Sequence, residues 1–438
     1  MTKKIASFES LEYLFSKDKC KYHCVTFPQS ACSGLVKANY AKSKVISVDI
    51  SQKLWSDEKK VITSTNLTDL FHKKAISGLV LDTHSSNFIE NWAKKENIRL
   101  IVTPWKLQKK LENKIFFERL LKKHDLPSPK SWILKSKKDI ESVDDIPVVV
   151  QSPDSNGSKG TFFVKKKSEI SRLITSRKLK FPLLCREFID NGLPLGVSVL
   201  VSPNKMIFSA LRAQAYFPKS DGKSIYYGIQ WVKTSHIQKN VIEKLNSILE
   251  KTGKMLQEFG FYGIANFDLI IRDDEILFIE CNPRLGGSTP QISLRPELLH
   301  GLHFTNEFTR ACCGQELTSN KPYIPNSKYE GFNLDMDALT EPHHGTQINT
   351  LKVGFYKPSK DSFIYSSSVK SEFEKDSTIF IYHALPKNIR ISDNIFTGFL
   401  MRHRPLLKLT KNSYNFSEAG NKFLKIIENL IIKNGTDS

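Results

Sequence analysis

The chain has 438 residues, 40% of them hydrophobic and 25% charged, and a formal net charge of +20. That length exceeds the ~250–300 residues at which a single core stops growing, so several domains are expected. No apolar run approaches the ~20 residues that span a bilayer, and the N-terminal stretch MTKKIASFESLEYLF has no apolar leader pattern, so no membrane partner and a cytoplasmic setting are expected. Seven cysteines, an odd number in a long chain, argue against a disulfide framework. Cys20-Lys21-Tyr22-His23-Cys24 has the spacing of half a metal knuckle, but no second pair follows at finger spacing. Lysine outnumbers arginine about four to one and is spread over the whole chain. Nucleic-acid binders concentrate their cations, so a solvated basic surface is the simpler reading. The charge also suits polyphosphates or an acidic carrier protein as partners.

In chain order, the first segment reads as α/β. Val45–Ile50, Gly78–Asp82 and Leu100–Thr103 are strand-like, and Asn87–Lys95 has a helical pattern. That alternation predicts a parallel sheet. No Gly-x-Gly-x-x-Gly follows any of these strands, so a dinucleotide-type phosphate loop is not expected. Leu111, Ile115, Phe116, Leu120 and Leu121 predict one helix over Leu111–Lys123, stopped by Pro127 and Pro129. Strands Ile146–Val150 and Thr161–Val164 flank a polar loop, Ser152–Gly160. A helix (Ser168–Ser176) and strands Leu183–Ile189, Leu195–Val201 and Lys205–Ala215 follow, then helices Val241–Phe259 and Gln291–Cys312. From about Ser319 the prolines 322 and 325 mark a linker. A mixed segment, Gly331–Pro405, contains the strand Ile379–Tyr382, and an amphipathic helix near Ser417–Ile432 closes the chain, with Ser417 as its N-cap. The expected domains are 1–109 (α/β), 110–325 (with a lid subdomain at about 130–190) and 326–438 (mixed α/β).

Three places carry chemistry. Ala265–Ser288 reads ANFDLIIRDDEILFIECNPRLGGS, two apolar runs around the charged turn Arg272–Glu275. Glu280 and Asn282 are two apart and share a strand face, which Asp268 can reach from the partner strand. Such oxygens suit a hard divalent cation such as Mg2+, and Arg284 beside them suits phosphate or carboxylate. A solvated hairpin is the competing reading. In the loop, Gly157 and Gly160 let backbone N–H groups converge on an anion, and Ser155, Ser158, Lys159 and Thr161 add donors or charge. A plain hairpin loop competes there. Finally, Arg212 stands among small and apolar residues, and a buried arginine calls for an anion, either a protein carboxylate or a substrate group.

Taken in order, these pieces resemble the ATP-grasp superfamily over about Trp105–Cys312. The resemblance implies an ATP-grasp domain preceded by an α/β domain and followed by an extra C-terminal domain. It implies ATP and Mg2+ as cofactors, with Asp268, Glu280 and Asn282 as Mg2+ ligands and Lys114 on the ATP phosphates. Ser155–Thr161 would be the lid, Arg186–Ile189 the adenine hinge with Glu187, Phe188 and Ile189 on the nucleotide, and Arg284 and Arg212 the arginines holding the phosphoryl and carboxylate groups. Two positions depart from the pattern. Gln151 stands where most members have a lid-strand lysine, and Leu195–Ser198 lacks the acid expected for the ribose hydroxyls. Gln before such a lid, with the extra C-terminal domain, is similar to pheganomycin-type peptide ligases. The activity this implies is ATP-dependent joining of a carboxylate to an amine through an acyl phosphate, on amino-acid or peptide substrates. Thioester formation on a carrier protein, phosphorylation of a hydroxyl, and nucleotide sensing without catalysis remain open alternatives.

Overall fold

The computed structural model describes residues 4–16, 21–27, 30, 32–49, 58–82, 84–154, 160–218, 224–340, 352–359, 362–369, 378–382, 398–410 and 413–433. Ser155, Gly157, Ser158, Lys159 and Cys20, singled out above, lie outside them.

The N-terminal segment forms a parallel sheet in the order β3-β2-β1-β4-β5. Its strands are β1 (Lys4–Phe8), β2 (Tyr22–Thr26), β3 (Val45–Ser47), β4 (Ile76–Val80) and β5 (Arg99–Ile101). The parallel sheet matches expectation, but β1 and β2 had not been anticipated. They interleave buried polar residues (Ser7, His23, Thr26) with apolar ones, so neither presents an apolar run.

A small antiparallel sheet follows, ordered β6-β9-β7-β8: β6 (Ser131–Leu134), β7 (Val148–Gln151), β8 (Thr161–Val164) and β9 (Leu183–Glu187). Leu134, Val148, Val150, Val164 and Cys185 close its own core with Ile170 of the helix Lys167–Thr175.

The largest sheet is antiparallel and has eleven strands among the described residues. β10 (Leu193–Val201) is its pivot, flanked by β14 (Gly263–Arg272) and β12 (Arg212–Pro218), with β11 (Met206–Phe208) folded back on it. β15 (Glu275–Asn282) forms one edge. On the other side the sheet runs on through β13 (Ser224–Trp231) into β16 (Phe332–Asp335), β20 (Phe399–Arg402), β19 (Ile379–Tyr382), β17 (Gly354–Pro358) and β18 (Phe363–Ser367). Val197, Val199, Ala213, Phe267 and Leu269 point to one face, into a core shared with Leu245, Leu249 and Leu256 of the helix Lys239–Glu258. By strand alternation Ser198, Arg212, Gln214, Asn266 and Asp268 point to the other.

The C-terminal strands are tied in at two places. Phe355, Phe380, Phe399 and Met401 pack on Leu11, Leu14 and Phe15 of the N-terminal segment. Buried Gln230 accepts from the Leu406 and Leu407 amides (2.8 and 2.7 Å) and donates to the Leu407 carbonyl (3.1 Å). Ser417 caps the last helix, Glu418–Lys433, by accepting from the Gly420 amide.

Three expected elements are corrected. The helix read as Leu111–Lys123 is two, Trp105–Glu112 and Lys114–Lys123, because Asn113 breaks the first and caps the second through the Phe116 amide. The strand Lys205–Ala215 is β11 and β12, separated by Ser209–Leu211. The helix Gln291–Cys312 is Thr289–Leu294 and Phe304–Cys312, with a short 3-10 turn between them, interrupted at Pro296 and at the left-handed residues His300 and Gly301.

Candidate active site

β14 and β15 form a hairpin in which Asp268 faces Glu280 and Asn266 faces Asn282. The period-two alternation of a strand puts Glu280 and Asn282 on the same side. The Asn282 amide nitrogen donates to both acids, to Asp268 Oδ2 at 3.2 Å and Glu280 Oε1 at 3.0 Å. Three oxygen-bearing side chains thus meet at one end of the hairpin, a donor set that fits a hard divalent cation.

Cations surround this group. Asn113 starts the helix Lys114–Lys123 just where it meets the small sheet: the Lys114 amide donates to the Pro153 carbonyl, and Asn113 Nδ2 to Asp154 Oδ1. Lys114 is therefore the first residue of the helix, and its ammonium lies 3.1 Å from Glu280 Oε2 while being almost wholly buried. Arg284, half-buried, is held by Glu112 at 3.2 Å, which also meets His84 at 2.6 Å. Arg212 is 4% exposed. It donates to Ser198 Oγ and Asn266 Oδ1, both at 3.1 Å, and forms no ion pair among the described residues. Of the two partners expected for a buried arginine, a bonded protein carboxylate is not the one seen.

Burial and the neighbouring Glu280 charge push the Asp268 carboxyl well above the ordinary carboxylate range, although Arg212 and the amide of Gln214 (2.5 Å) oppose this. Burial acts the same way on Glu280, but Lys114, Asn282 and Asp268 outweigh it and hold that carboxyl below its ordinary value. Two acids facing each other across the hairpin disfavour carrying charge together, and a cation between them would relieve that repulsion. Burial lowers the Arg212 pKa, with Asp268 opposing.

The small sheet supplies the opposite wall. Gln151, at the end of β7, donates from Nε2 to Thr161 Oγ1 at 3.3 Å, across the β7–β8 pair. Gly160, with φ +76°, closes the loop by accepting from the Ser152 amide, a conformation that favours glycine. At the end of β9 the Glu187 carboxylate accepts from the Lys130 amide at 3.0 Å, so it is tied to the backbone. The Phe188 amide donates to Pro147, and the exposed Phe188 ring stacks at a tilt on Phe163. The Phe188 carbonyl and Ile189 amide have no hydrogen-bond partner among the described residues, and this leaves one acceptor and one donor for a planar edge.

Lys114, Asp268, Glu280 and Asn282 are thus brought together, with Arg212 one residue pair away on the same sheet face. Gln151, Gly160 and Thr161 form the root of the loop, and Glu187, Phe188 and Ile189 the bend behind it. Four side chains that the sequence reading missed hold these in place: Ser198, Gln214 and Asn266 on the large sheet, and Glu112 behind Arg284. Gln214 and Asn266 each lie two residues from a chosen one, so period two would have found them.

Residues 111–288 match the model of the ATP-grasp domain family. The biotin carboxylase domain of 2-oxoglutarate carboxylase from Hydrogenobacter thermophilus, solved with MgADP, ADP and bicarbonate, superposes with a TM-score of 0.64 at 14% identity, covering 92% of this chain and 86% of that one. This is the ATP-grasp fold. An ADP complex of N5-carboxyaminoimidazole ribonucleotide synthetase shares it, with a TM-score of 0.57 at 12% identity over 99% of this chain and 98% of that one. In sequence, the carbamoyl phosphate synthase large chain of Corynebacterium glutamicum is 22% identical over 291 residues, 63% of this chain and 25% of the relative. The chain therefore spans about a quarter of the length of the curated relatives it matches. The first of these neighbours was solved with MgADP and the second with ADP. Among the described residues no helix is long and apolar enough to cross a membrane.

Proposed function

We propose that this protein is an ATP-dependent carboxylate–amine ligase that releases ADP and phosphate. The observation that carries the reading is the Asp268–Glu280–Asn282 group with Lys114 against it and a buried Arg212, without a bonded acid, on the same face. That combination suits a divalent cation and the anions it neutralises.

In the first step a substrate carboxylate oxygen attacks the γ-phosphorus of ATP, the bond to the β-phosphate oxygen breaks, and ADP leaves. In the second an amine attacks the acyl carbon, phosphate departs and the nitrogen loses a proton. Asp268, Glu280 and Asn282 would hold Mg2+, which would supply neutralisation of the phosphate charge. Lys114 and the loop root at Gln151, Gly160 and Thr161 hold the polyphosphate, with Ser155, Gly157 and Ser158 as its lid. Phe188 and Ile189 offer their free backbone groups to the adenine edge, while Glu187 fixes the bend. Arg212 and Arg284 hold the transferred phosphoryl group and the carboxylate, and their worth lies in being positioned before the charge develops. No nucleophilic side chain is needed. Amino acids or short peptides are the substrates we infer, by similarity to the pheganomycin-type ligases.

The test is release of ADP and phosphate from Mg-ATP across pools of amino acids and short peptides, with mass spectrometry of the products. A new mass equal to two substrates minus water supports the ligase. ADP release with a thioester on a supplied acidic carrier, or with a phosphorylated product, replaces the amine by a thiol or hydroxyl. Nucleotide binding without ADP release in any pool refutes catalysis on these substrates.

A further inference from the structure

The motif pattern does not say how a neutral Gln151 serves at the loop root, or what the buried cation of Arg186 beside it does. Arg186 lies at the centre of a four-way junction. Its Nε and Nη2 donate to Glu118 Oε2 at 3.3 and 2.9 Å, and its Nη1 donates to Gln151 Oε1 at 3.3 Å and to the Ile279 carbonyl at 2.7 Å. Arg186 is 2% exposed and Glu118 fully buried. The other Glu118 oxygen accepts from Ser128 and Ser131 at 2.9 and 2.6 Å, so this acid is fully engaged and anchors the guanidinium.

The junction joins the parts of the site that must stay in register. Glu118 is one helical turn after Lys114 on the same helix, so both point from one face. Lys114 meets Glu280, while Glu118, through Arg186, meets the carbonyl of Ile279, the residue before Glu280. Gln151 is the last residue of β7 before the loop. A carboxamide has an oxygen end and a nitrogen end of almost equal shape, and its neighbours decide which faces where. Arg186 can only donate, so the Gln151 oxygen must face it. One Nε2–H goes to Thr161, and the second has no partner among the described residues.

We propose that Arg186 is a positioning residue: it fixes the Gln151 carboxamide with the oxygen inward, so that the free Nε2–H is presented to the phosphates of the bound nucleotide. This rests on the nucleotide-binding reading above. The cation is then one strand removed from the loop root, neutralised by Glu118, and the group that touches nucleotide is a neutral, oriented donor. A lysine at 186 cannot replace it, because one ammonium cannot reach a carboxylate, a side-chain oxygen and a backbone carbonyl in the planar fork that arginine provides.

The experiment is MgADP affinity by calorimetry, with the thermal midpoint measured alongside. Gln151→Glu keeps the inward oxygen, now charged and better bonded to Arg186, and replaces the outward donor with a second oxygen. The expected result is a thermal midpoint no lower than that of the unsubstituted protein, with affinity at least thirtyfold weaker by order of magnitude. Gln151→Leu should weaken binding about tenfold, as expected for one lost donor. Arg186→Lys should match it, and the double variant should be no weaker than Gln151→Leu alone. A Gln151→Glu protein that binds MgADP as tightly as the unsubstituted one overturns the proposal, and so does full additivity of the two substitutions. Should Arg186→Lys fail to fold, the two Gln151 variants decide it. An unsubstituted protein that binds no MgADP would instead overturn the nucleotide reading itself.

Discussion

Gly196 offers a sharp test of Arg212. The two residues are paired across β10 and β12, and the guanidinium lies over the bare Cα of Gly196. A Cβ there would stand 2.9 Å from Arg212 Nε, 3.0 Å from Cζ and 3.1 Å from Nη2. Gly196→Ala must therefore push the guanidinium aside. Its hydrogen bonds to Ser198 and Asn266 are already 3.1 Å long, so a shift of half an ångström or more, roughly, ends them as good bonds. The folding cost is small. Overpacking costs ~1–3 kcal/mol, and replacing glycine where its backbone is not left-handed returns ~0.4–1 kcal/mol through the unfolded chain. The net is roughly 0–2.5 kcal/mol, a fall in thermal midpoint of at most about 10 °C at the ~2–4 °C per kcal/mol of domains this size. The catalytic cost is larger, because displacing a positioning group by about 1 Å can lose on the order of a hundredfold in rate. Turnover is followed by coupled ADP release with the acid and amine that the substrate screen identifies, and folding by thermal denaturation. The expected result is a folded protein with turnover down about a hundredfold and MgADP affinity nearly unchanged. A folded Gly196→Ala protein with full turnover would refute the assignment of Arg212 to the reacting groups.

Glu280→Gln removes one of the two acids facing Asn282 and the partner of Lys114. ADP release should become undetectable in the same assay, and normal turnover would sink the metal assignment. For Glu118, burial raises the carboxyl pKa, but Arg186, Ser131 and Ser128 together hold it below its ordinary value of 4.5. A depressed folded pKa contributes stability that is complete above the unfolded value and is lost as pH falls through the folded one. The thermal midpoint should therefore drop below about pH 4.5. Glu118→Gln should be less stable at pH 7 and show a shallower acid limb, and an unchanged limb would rule out the linkage. Gln230→Leu strands two backbone amides and one carbonyl of Leu406–Leu407 at ~1–3 kcal/mol each. It should cost about 3 kcal/mol or more by denaturant unfolding, and a loss below about 1 kcal/mol would show that the C-terminal strands are held by their apolar face instead.

The polar end of the hairpin was legible because strand alternation holds from Glu280 to Asn282, although a bulge opposite Asp268–Leu269 breaks it just before them and turns Ile276 and Phe278 to the core face. The acids and the asparagine stand at matching ends of two apolar runs, and the turn at Asp273, with φ 54°, falls between them. The break at Asn113 was not, since Leu111 and Ile115 keep a helical spacing across it. Only the capping chemistry of an asparagine before Lys114 marks it, and that cap moves Lys114 to the helix start where it meets Glu280. The break at Pro296 could have been read from the proline itself. The junction at Arg186 had no local signal at all. Glu118 and Arg186 are 68 residues apart, Gln151 and Arg186 35, and Ile279 contributes only its backbone. Pattern gives each residue its strand or helix, but which side chains meet between two sheets is set by how those sheets pack.

That packing also accounts for the balance of charge at the site. Lys114 is matched by Glu280, Arg186 by Glu118 and Arg284 by Glu112. Asp268 is held towards its neutral form by burial and by Glu280. What is left over is Arg212, a buried cation whose hydrogen bonds among the described residues go only to an alcohol and an amide. A buried charge with no acid bonded to it is costly to keep, and packing alone could have been served by an apolar side chain. Its retention over Gly196, where a Cβ cannot fit beside it, makes sense if the missing anion arrives from outside. In the proposed reaction the substrate carboxylate and the phosphoryl group it receives are both anionic, and both would lie on this face. On this argument the site is preorganised for negative charge before any ligand enters, and Arg212 is the residue that carries the unbalanced part.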